Sequence, residues 1–368
     1  MFGKTLQKFD PKHRLVCSSR TENTLRKLTF NPKRRMYVMA KVVSIVNKNL
    51  NEKFGKIKPE GIEYVYLEYP CSDDELVAAL QDADALFSAS MEYIRKDVID
   101  RCPKLKLIQT IGAGFDKIDS AAAKEKGIYV CANKGANAMS VAEHAVLLML
   151  ATLKRLPYAD AQCKAGAESY DKVFHHYRAT GHNELSTRTV GLIGLGAIGS
   201  RVAGILNGFG STLLYNDVVR ASEEVEKKLN LKFVERDEIY ANCDIISYHV
   251  PILPSTMGLI NKENIAKMKQ DAIIINISRG EIANNEDLAE ALNSKRIYAG
   301  LDVLAPEPPE DGHPLLSLTE EGNYRMVMTP HMAGTSDSAF ERMFTWAYEN
   351  FTKVILKGER PNNIVNGL

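Results

Sequence analysis

The sequence predicts an α/β protein built from two doubly wound parallel sheets with helices on both faces. From Tyr37 onward, short apolar runs rich in β-branched residues alternate with amphipathic segments, which is typical of parallel strands buried under helices. The runs form two successive sets, separated by one long apolar helical segment at Ala138–Leu156. With 368 residues, the chain is long enough for two such domains.

Each set of runs predicts the strands of one sheet. The first set contains five predicted strands: Val42–Val46, Tyr64–Leu67, Ala85–Ser88, Leu107–Ile111 and Tyr129–Cys131. The second set contains six: Thr189–Ile193, Thr212–Tyr215, Ile245–His249, Ala272–Ile277, Ile297–Leu301 and Met326–Thr329. Helical periodicity is found at Ser72–Gln81, Ile118–Gly127 and Asp337–Leu356. We expect the last of these helices to return to the first sheet, and the polar stretch before Thr189 to be irregular.

The composition excludes several classes of protein. The chain is 45 % hydrophobic and 25 % charged, as is usual for a globular protein. It has no run of ~18 uncharged apolar residues and no secretory signal, which argues against membrane insertion and export. The six cysteines are scattered, without CxxC pairs, and they predict reduced thiols and no metal site. These features predict a cytoplasmic protein.

The formal net charge of +1 hides an asymmetry along the chain. Residues 1–35 contain ten Lys and Arg against two acids, and the remainder contains 37 basic and 44 acidic side chains. An acidic body argues against a nucleic-acid partner, which would require a basic face. Three interpretations of the basic extension, residues 1–36, remain open: an organelle-targeting presequence, a disordered arm, or translated leader before a start at Met36 or Met39.

A glycine motif follows the first strand of the second set and opens an amphipathic segment, 200–209. In this context its first glycine can make a tight turn, its second lets the backbone approach a pyrophosphate, and its third permits close helix–strand packing. Asp217 lies at the end of the next strand, where a carboxylate can bind the adenosine ribose and repel a 2′-phosphate. The motif therefore predicts NAD as the cofactor. The predicted contacts are Gly194, Gly196, Ala197, Ile198, Gly199 and Asp217.

Further motifs follow in a definite order. They are His249-Val-Pro251, Asn276-Ile-Ser-Arg279-Gly280, Asp302 with Glu307, and Thr329-Pro330-His331. With the glycine motif, their order and spacing resemble those of the D-isomer-specific 2-hydroxyacid dehydrogenase family from about Met39 to the C-terminus. The resemblance implies a small 2-keto acid or D-2-hydroxy acid as substrate and a homodimer formed through the second domain.

The chemistry of 2-keto acid reduction explains three of these residues. The reaction needs a clamp for the carboxylate, a proton for the developing alkoxide and a hydride donor held against C2. Arg279 can clamp a carboxylate through paired donors, and His331 can supply a proton near neutral pH. As the resemblance implies, Glu307 would bind the far imidazole nitrogen and stabilise the imidazolium. These three residues are the predicted catalytic group.

The resemblance also implies the domain arrangement and further contacts. A Rossmann NAD-binding domain, residues 138–334, would be inserted in a flavodoxin-like substrate domain made of residues 37–137 and 335–368. The loop from Ile111 to Asp116 resembles the family's substrate-carboxylate loop, which assigns Ala113 and Gly114 to substrate binding alongside Arg279. Asp302 would contact the nicotinamide carboxamide. The remaining implied cofactor-side residues are His249, Pro251, Thr256 and Ser278.

Other features limit or qualify the interpretation. Glu143 and His144 also match the family, but we assign them to packing, and His175 and His176 have no visible partner. Leu253 and Asn284 depart from the residues that many members carry, so cofactor contacts differ in detail. The loop Ser88–Tyr93 lacks the arginine of phosphoglycerate-oxidising members, and Glu307 argues against formate. Two alternatives remain open at this point: a dinucleotide-sensing regulatory protein of corepressor type, and oxidation of an inorganic oxyanion such as phosphite.

Overall fold

A computed structural model describes residues 39–89 and 92–368 of the chain. The basic extension, residues 1–36, lies outside these ranges, as do residues 90 and 91 in the loop Ser88–Tyr93. Among the described residues, no helix has both the length and the apolar character needed to cross a membrane.

The first sheet contains five strands: β1 (Ala40–Ser44), β2 (Ile62–Tyr66), β3 (Ala85–Ser88), β4 (Leu107–Thr110) and β5 (Tyr129–Cys131). All neighbouring pairs are parallel, in the order β2-β1-β3-β4-β5. This is the strand order of flavodoxin-like sheets. Each of the five predicted strands is present, with ends shifted by one or two residues.

The second sheet contains seven strands: β6 (Thr189–Ile193), β7 (Thr212–Asn216), β8 (Leu231–Phe233), β9 (Ile245–Tyr248), β10 (Ala272–Asn276), β11 (Ile297–Leu301) and β12 (Met326–Met328). All its neighbouring pairs are parallel, in the order β12-β11-β10-β9-β6-β7-β8. Six of these strands follow the Rossmann order, and β12 extends the sheet. The prediction of six strands was wrong, because Lys232 stands in the middle of the three-residue strand β8 and leaves it without an apolar run.

Four short helices accompany the first sheet: α1 (Lys48–Phe54), α2 (Asp73–Leu80), α3 (Lys96–Asp100) and α4 (Ser120–Glu125). Three further helices connect the two sheets: α5 (Ala138–Leu153), α6 (Leu156–Lys164) and α7 (Ala167–Thr180). The start of α2 is fixed by a capping box, in which the side chains of Ser72 and Glu75 each bond the other's backbone N–H.

The segment after α5 corrects the sequence analysis. We predicted one helix reaching Leu156 and then irregular chain, but α5 ends at Leu153 and two more helices follow. Arg155 adopts a left-handed conformation with φ of 51°, and Pro157 lies in the first turn of α6, where its missing N–H costs nothing. Only Val173 is buried on the two new helices, so they lack the apolar stripe that predicts a helix. His175 and His176 therefore lie on α7.

The second sheet is covered by helices on both faces. They are α8 (Gly199–Phe209), α9 (Glu223–Leu229), α10 (Arg236–Asn242), α11 (Lys262–Lys267), α12 (Asn285–Asn293) and α13 (Glu320–Tyr324). One core cluster packs the strands against α10, α11 and α12, and a second packs them against α5 and α8. Asn284, one of the departures from the family pattern, caps α12, because its Oδ1 accepts the N–H groups of Glu286 and Asp287.

The C-terminal helix α14 (Asp337–Phe351), continued by a π-helical segment at Thr352–Lys357, packs on the first sheet. Phe344 and Phe351 of this helix contact Phe87 of β3 edge-on, with ring centroids 5.4 and 5.5 Å apart. The predicted fold class is confirmed: two parallel α/β sheets, one of Rossmann type. The exact domain limits, at 137/138 and 334/335, stay a prediction, which the packing of α14 supports.

Candidate active site

The predicted site residues follow the carboxyl ends of neighbouring strands in the second sheet. The glycine motif follows β6, and the loops carrying His249, Arg279, Asp302 and His331 follow β9, β10, β11 and β12. The order of strands reverses between β6 and β9, and open α/β sheets bind ligands at such a point. The topology therefore brings these loops to one edge of the sheet.

The glycine loop has the backbone geometry that the motif requires. Gly194 has a φ of 99°, and a Cβ on it would lie 2.8 Å from the carbonyl oxygen of His249. A Cβ on Gly199 would lie 2.2 Å from the carbonyl oxygen of Gly194, so only glycine allows helix α8 to start this close to β6. Gly196 is exposed and its Cβ position is open, which leaves room for a ligand at the N-terminus of α8.

Asp217 lies just after β7 and binds the glycine loop. Its Oδ2 accepts the N–H of Leu195 at 2.7 Å, and its Oδ1 accepts the N–H of Val219 at 3.4 Å. The carboxylate is half-buried beside the loop that would hold a diphosphate. It therefore has both the position and the charge to bind a ribose next to that diphosphate.

His249 has a buried ring beside the glycine loop. Neither ring nitrogen has a hydrogen-bond partner within the described part of the chain, although other atoms of the residue reach solvent. Burial lowers the pKa of His249 to about 3, so the ring is neutral. Its Cδ2 lies 3.6 Å from the Cβ position of Gly199. A polar ligand bound at the glycine loop could supply the hydrogen bonds that these two ring nitrogens lack.

The other predicted cofactor-side residues shape the loops after β9 and β10. The hydroxyl of Thr256 donates to the carbonyl of Pro251 at 2.6 Å and accepts the N–H of Leu253, so it closes the turn that contains them. The hydroxyl of Ser278 donates to the carbonyl of Tyr248 at 2.7 Å and joins the two loops. Both hydroxyls thus have partners in the protein, and a direct contact with the cofactor stays a prediction for each.

Arg279 reaches from the second sheet to a loop of the first. One guanidinium nitrogen donates to the carbonyl of Ser278 at 2.9 Å, and the other terminal nitrogen lies 3.1 Å from Asp116 Oδ1. Asp116 ends the loop that contains Ala113 and Gly114, both half-buried. A guanidinium has five N–H donors, so these two contacts leave N–H groups that can bind a ligand. The structure therefore places Arg279 in contact with the loop that contains Ala113 and Gly114.

Gly280 explains how the Arg279 loop approaches the loop after β11. A Cβ on Gly280 would lie within 2.0 Å of the carbonyl carbon and oxygen of Leu304. The backbone of the two loops can meet here only because residue 280 has no side chain. This contact brings the segment leading to Glu307 beside Arg279.

His331 and Glu307 form the pair that the sequence predicted. Nδ1 of His331 lies 2.7 Å from Oε2 of Glu307, and the two side chains are 30 % and 22 % exposed. Since Nδ1 is engaged by a carboxylate, the exposed ring offers Nε2 to a substrate. A histidine that contacts a carboxylate through one ring nitrogen and leaves the other for a substrate is the arrangement of a general acid and base.

Asp302 is buried and binds the loop that carries His331. Its side chain is 1 % exposed, and its carboxylate accepts from the hydroxyl of Thr329 and from the N–H groups of Met332 and Ala333. Its backbone carbonyl also accepts the N–H of His331 at 2.7 Å. The residue therefore organises the loop that carries His331, and its contact with a nicotinamide carboxamide stays a prediction.

The described site fits an NAD molecule in three respects: the open cradle at Gly196, the unpartnered ring of His249 and the carboxylate at Asp217. Comparison with known proteins agrees. The model for the NAD-binding domain of D-isomer-specific 2-hydroxyacid dehydrogenases matches residues 146–333, about half of the chain. The chain belongs to this family. As a family member it is an NAD-dependent 2-hydroxyacid dehydrogenase.

Three relatives illustrate the range of this dehydrogenase family. The chain is 38 % identical over 300 residues to a glyoxylate reductase of Thermofilum pendens, covering 81 % of this chain and 86 % of that one. It is 38 % identical over 273 residues to a hydroxypyruvate reductase of Thermotoga maritima, covering 73 % and 84 %. The structure of the D-lactate dehydrogenase of Aquifex aeolicus with NAD and lactic acid matches with a TM-score of 0.73 and 27 % identity, covering 89 % and 99 %.

Sequence reasoning on this dehydrogenase missed two groups at the site. Asp116 was seen only as the end of a glycine-containing loop, and nothing in the sequence indicated its ion pair with Arg279, 163 residues away. His144 was assigned to packing, yet its Nε2 lies 2.9 Å from Oγ1 of Thr329 in the loop that carries His331. The family match at Glu143-His144 was the one available signal.

Proposed function

We propose that the chain interconverts a small, unphosphorylated 2-keto acid and its D-2-hydroxy acid. The observation that supports this most is the combination of the His331–Glu307 pair with Arg279 on neighbouring loops of one sheet edge. A cation for the substrate carboxylate and a proton donor for its C2 oxygen are the two protein groups that the reaction requires. Bound NADH supplies the hydride.

In the direction of reduction, protonated His331 donates from Nε2 to the oxygen that develops negative charge at C2. Glu307 accepts from Nδ1 of the same ring, which orients it and stabilises the imidazolium. Arg279 holds the substrate carboxylate through its free N–H groups. In the reverse direction, neutral His331 accepts the hydroxyl proton at Nε2. Proton transfer therefore needs no group beyond this pair.

We assign cofactor binding to the residues around the glycine loop. The N–H groups at the N-terminus of α8, near Ala197 and Ile198, would bind the diphosphate, and Asp217 the adenosine ribose. A carboxylate at 217 also repels a 2′-phosphate, so this proposal predicts a preference for NADH over NADPH. His249 would complete its hydrogen bonds with polar atoms of the bound cofactor.

That the substrate carries no phosphate group is inferred from the surroundings of the loop Ser88–Tyr93. The names of relatives do not decide this point, because D-3-phosphoglycerate dehydrogenases match the chain as well as the reductases of glyoxylate and hydroxypyruvate do. Arg95, two residues after the loop Ser88–Tyr93, donates to both carboxylate oxygens of Asp73 at 2.9 Å. It is therefore engaged elsewhere, which supports a substrate without a phosphate group.

The experiment that tests the proposal is a steady-state screen with NADH or NADPH as the reductant. Glyoxylate, pyruvate, hydroxypyruvate, 2-ketoisocaproate and phenylpyruvate would be offered, and the configuration of each chiral product determined. We expect turnover of the smallest acids with NADH and products of D configuration. An L product, or turnover with NADPH alone, would refute the assignment.

We also propose a homodimer formed through the second domain. Exposed apolar side chains on α5, α6 and α7 support this: Met139, Leu147, Leu156, Tyr158, Tyr170 and Phe174. Such a concentration of exposed apolar side chains is typical of a surface that another chain covers. Sedimentation velocity of the purified chain tests the proposal, since a monomer at micromolar concentration would contradict it.

A further inference from the structure

Helix α5 carries a buried histidine that contacts the loop of the proposed proton donor. His144 is 8 % exposed, and its Nε2 lies 2.9 Å from Oγ1 of Thr329 and 3.5 Å from Oδ1 of Asp302. Thr329 is two residues before His331. A second bond joins the same helix to the same loop, because the hydroxyl of Ser140 donates to the carbonyl of Ala333 at 2.6 Å. Helix α5 is therefore attached to both ends of the loop.

The direction of these hydrogen bonds follows from counting protons. A threonine hydroxyl has one proton, and that of Thr329 is donated to Oδ1 of Asp302 at 2.5 Å. Towards His144 the hydroxyl can therefore only accept, so Nε2 of His144 must carry a hydrogen. The resulting chain runs from His144 through Thr329 to Asp302. Asp302 ends it as a carboxylate that only accepts, since its other partners are backbone N–H groups of Met332 and Ala333.

The loop that this chain holds has an unfavourable backbone conformation. His331 has a φ of 51°, in the left-handed region that a residue with a side chain rarely adopts. Its N–H donates to the carbonyl of Asp302 at 2.7 Å, and the next two N–H groups bind the carboxylate of the same residue. The direction of the His331 ring therefore depends on the position of Asp302, which is in turn bonded to Thr329.

We propose that His144 and Thr329 are positioning residues, which hold His331 in the orientation needed for proton transfer. Neither residue touches the reacting atoms. His144 fixes the hydroxyl of Thr329 as a donor to Asp302, and Asp302 fixes the left-handed turn at His331. This inference rests on the proposed role of His331 as proton donor. It gives a role in the reaction to His144, a residue that the sequence alone assigned to packing contacts.

The test compares two substitutions at Thr329. Thr329→Val has nearly the same shape but no hydroxyl, and it should lower kcat for keto-acid reduction by roughly 10- to 100-fold, the usual effect of a misplaced catalytic group. The Kd for NADH and the KM for the keto acid should stay near the parent values. Thr329→Ser restores the hydroxyl and should recover most of the rate. Thr345→Val is the matched control, since the hydroxyl of Thr345 bonds only within α14.

A double variant separates this inference from the proposed function. If Thr329 acts through His331, Thr329→Val should cause no further loss of kcat in a His331→Ala background. A full additional loss there would overturn the proposal, as would unchanged kcat in Thr329→Val or failure of Thr329→Ser to recover. By contrast, a His331→Ala variant as active as the parent would refute the function itself. Should Thr329→Val not fold, His144→Leu and His144→Gln provide the same comparison, with Gln retaining an N–H donor.

Discussion

At the scale of residues, His331 carries most of the proposed chemistry because its two ring nitrogens have different partners. Nδ1 contacts Glu307 at 2.7 Å, and Nε2 is left for the substrate. The types of these residues and their order could be predicted from the sequence. The distance between them could not, because it depends on how the loops after β11 and β12 meet.

The first prediction concerns Glu307→Gln, which keeps a hydrogen bond but removes the negative charge that favours imidazolium. Reduction requires protonated His331, so the activity of the variant should fall at a lower pH than that of the parent. Oxidation requires the neutral ring and should suffer less at low pH. Profiles of kcat/KM against pH in both directions measure this, with Glu310→Gln as the control. Superimposable profiles for Glu307→Gln and the parent would contradict the role of the carboxylate.

The second prediction concerns the buried ring of His249, whose pKa is lowered to about 3 by burial. In the unfolded chain the ring of His249 takes up a proton near pH 6.5, whereas in the folded chain it stays neutral until about pH 3. The folded state therefore has its full stability above pH 6.5 and becomes less stable as the pH falls below that value. When the pH is lowered from 7.5 to 5, the titration of His249 alone should lower the free energy of unfolding of the parent by about 2 kcal/mol.

His249→Gln removes the titrating ring, so its stability relative to the parent should improve by that amount at pH 5. Urea denaturation without cofactor, at both pH values, measures the difference. The control is His176→Gln, because His176 is exposed on α7 and should show no comparable change. An equal gap between His249→Gln and the parent at both pH values would show that the ring is not held neutral.

At the scale of elements, the sequence was most informative where burial is two-sided. Strands such as β10, with all five residues buried, appear as continuous apolar runs, and they were predicted to within a residue. The sequence missed three segments, the edge strand β8 and the helices α6 and α7. The two helices together bury a single residue, Val173. Their conformation depends on tertiary contacts and helix propensity rather than on an apolar pattern.

The third prediction contrasts two glycines of helix α8. Gly204 is exposed and a Cβ on it meets only Leu229 at 3.9 Å, so Gly204→Ala should raise the free energy of unfolding by about 1 kcal/mol. Gly199→Ala would place a Cβ 2.2 Å from the carbonyl oxygen of Gly194 and should disrupt the cradle. Urea denaturation and NADH titration measure the two effects. NADH binding by Gly199→Ala as tight as that of the parent would contradict the assigned geometry.

At the scale of the whole molecule, the proposed site depends on a contact between loops of the two sheets. Arg279 after β10 reaches Asp116 in the loop after β4, and α14 returns to pack on the first sheet. The fold class and the cofactor loop could be predicted, because local patterns determine both. The ion pair between Arg279 and Asp116 and the bonds from α5 to the His331 loop could not, since they join residues 163 and 185 positions apart.

The fourth prediction concerns the basic extension, residues 1–36. Its charge balance differs from that of the body, so a chain starting at Met39 should be soluble and reduce keto acids with a kcat/KM close to that of the full chain. Expression yield and steady-state kinetics test this, and loss of solubility or of most activity would contradict it. Imaging of tagged chains with and without the extension would test the predicted cytoplasmic location against organelle targeting.

The central claim is that His331 transfers the proton in NADH-dependent keto-acid reduction. The most direct test is single-turnover reduction by the parent and by His331→Ala, with NADH affinity measured separately. We predict a rate about 10²- to 10⁴-fold lower in the variant, the usual contribution of a positioned general acid, and NADH affinity close to that of the parent. A single-turnover rate near the parental value, in a reaction limited by chemistry, would contradict the account.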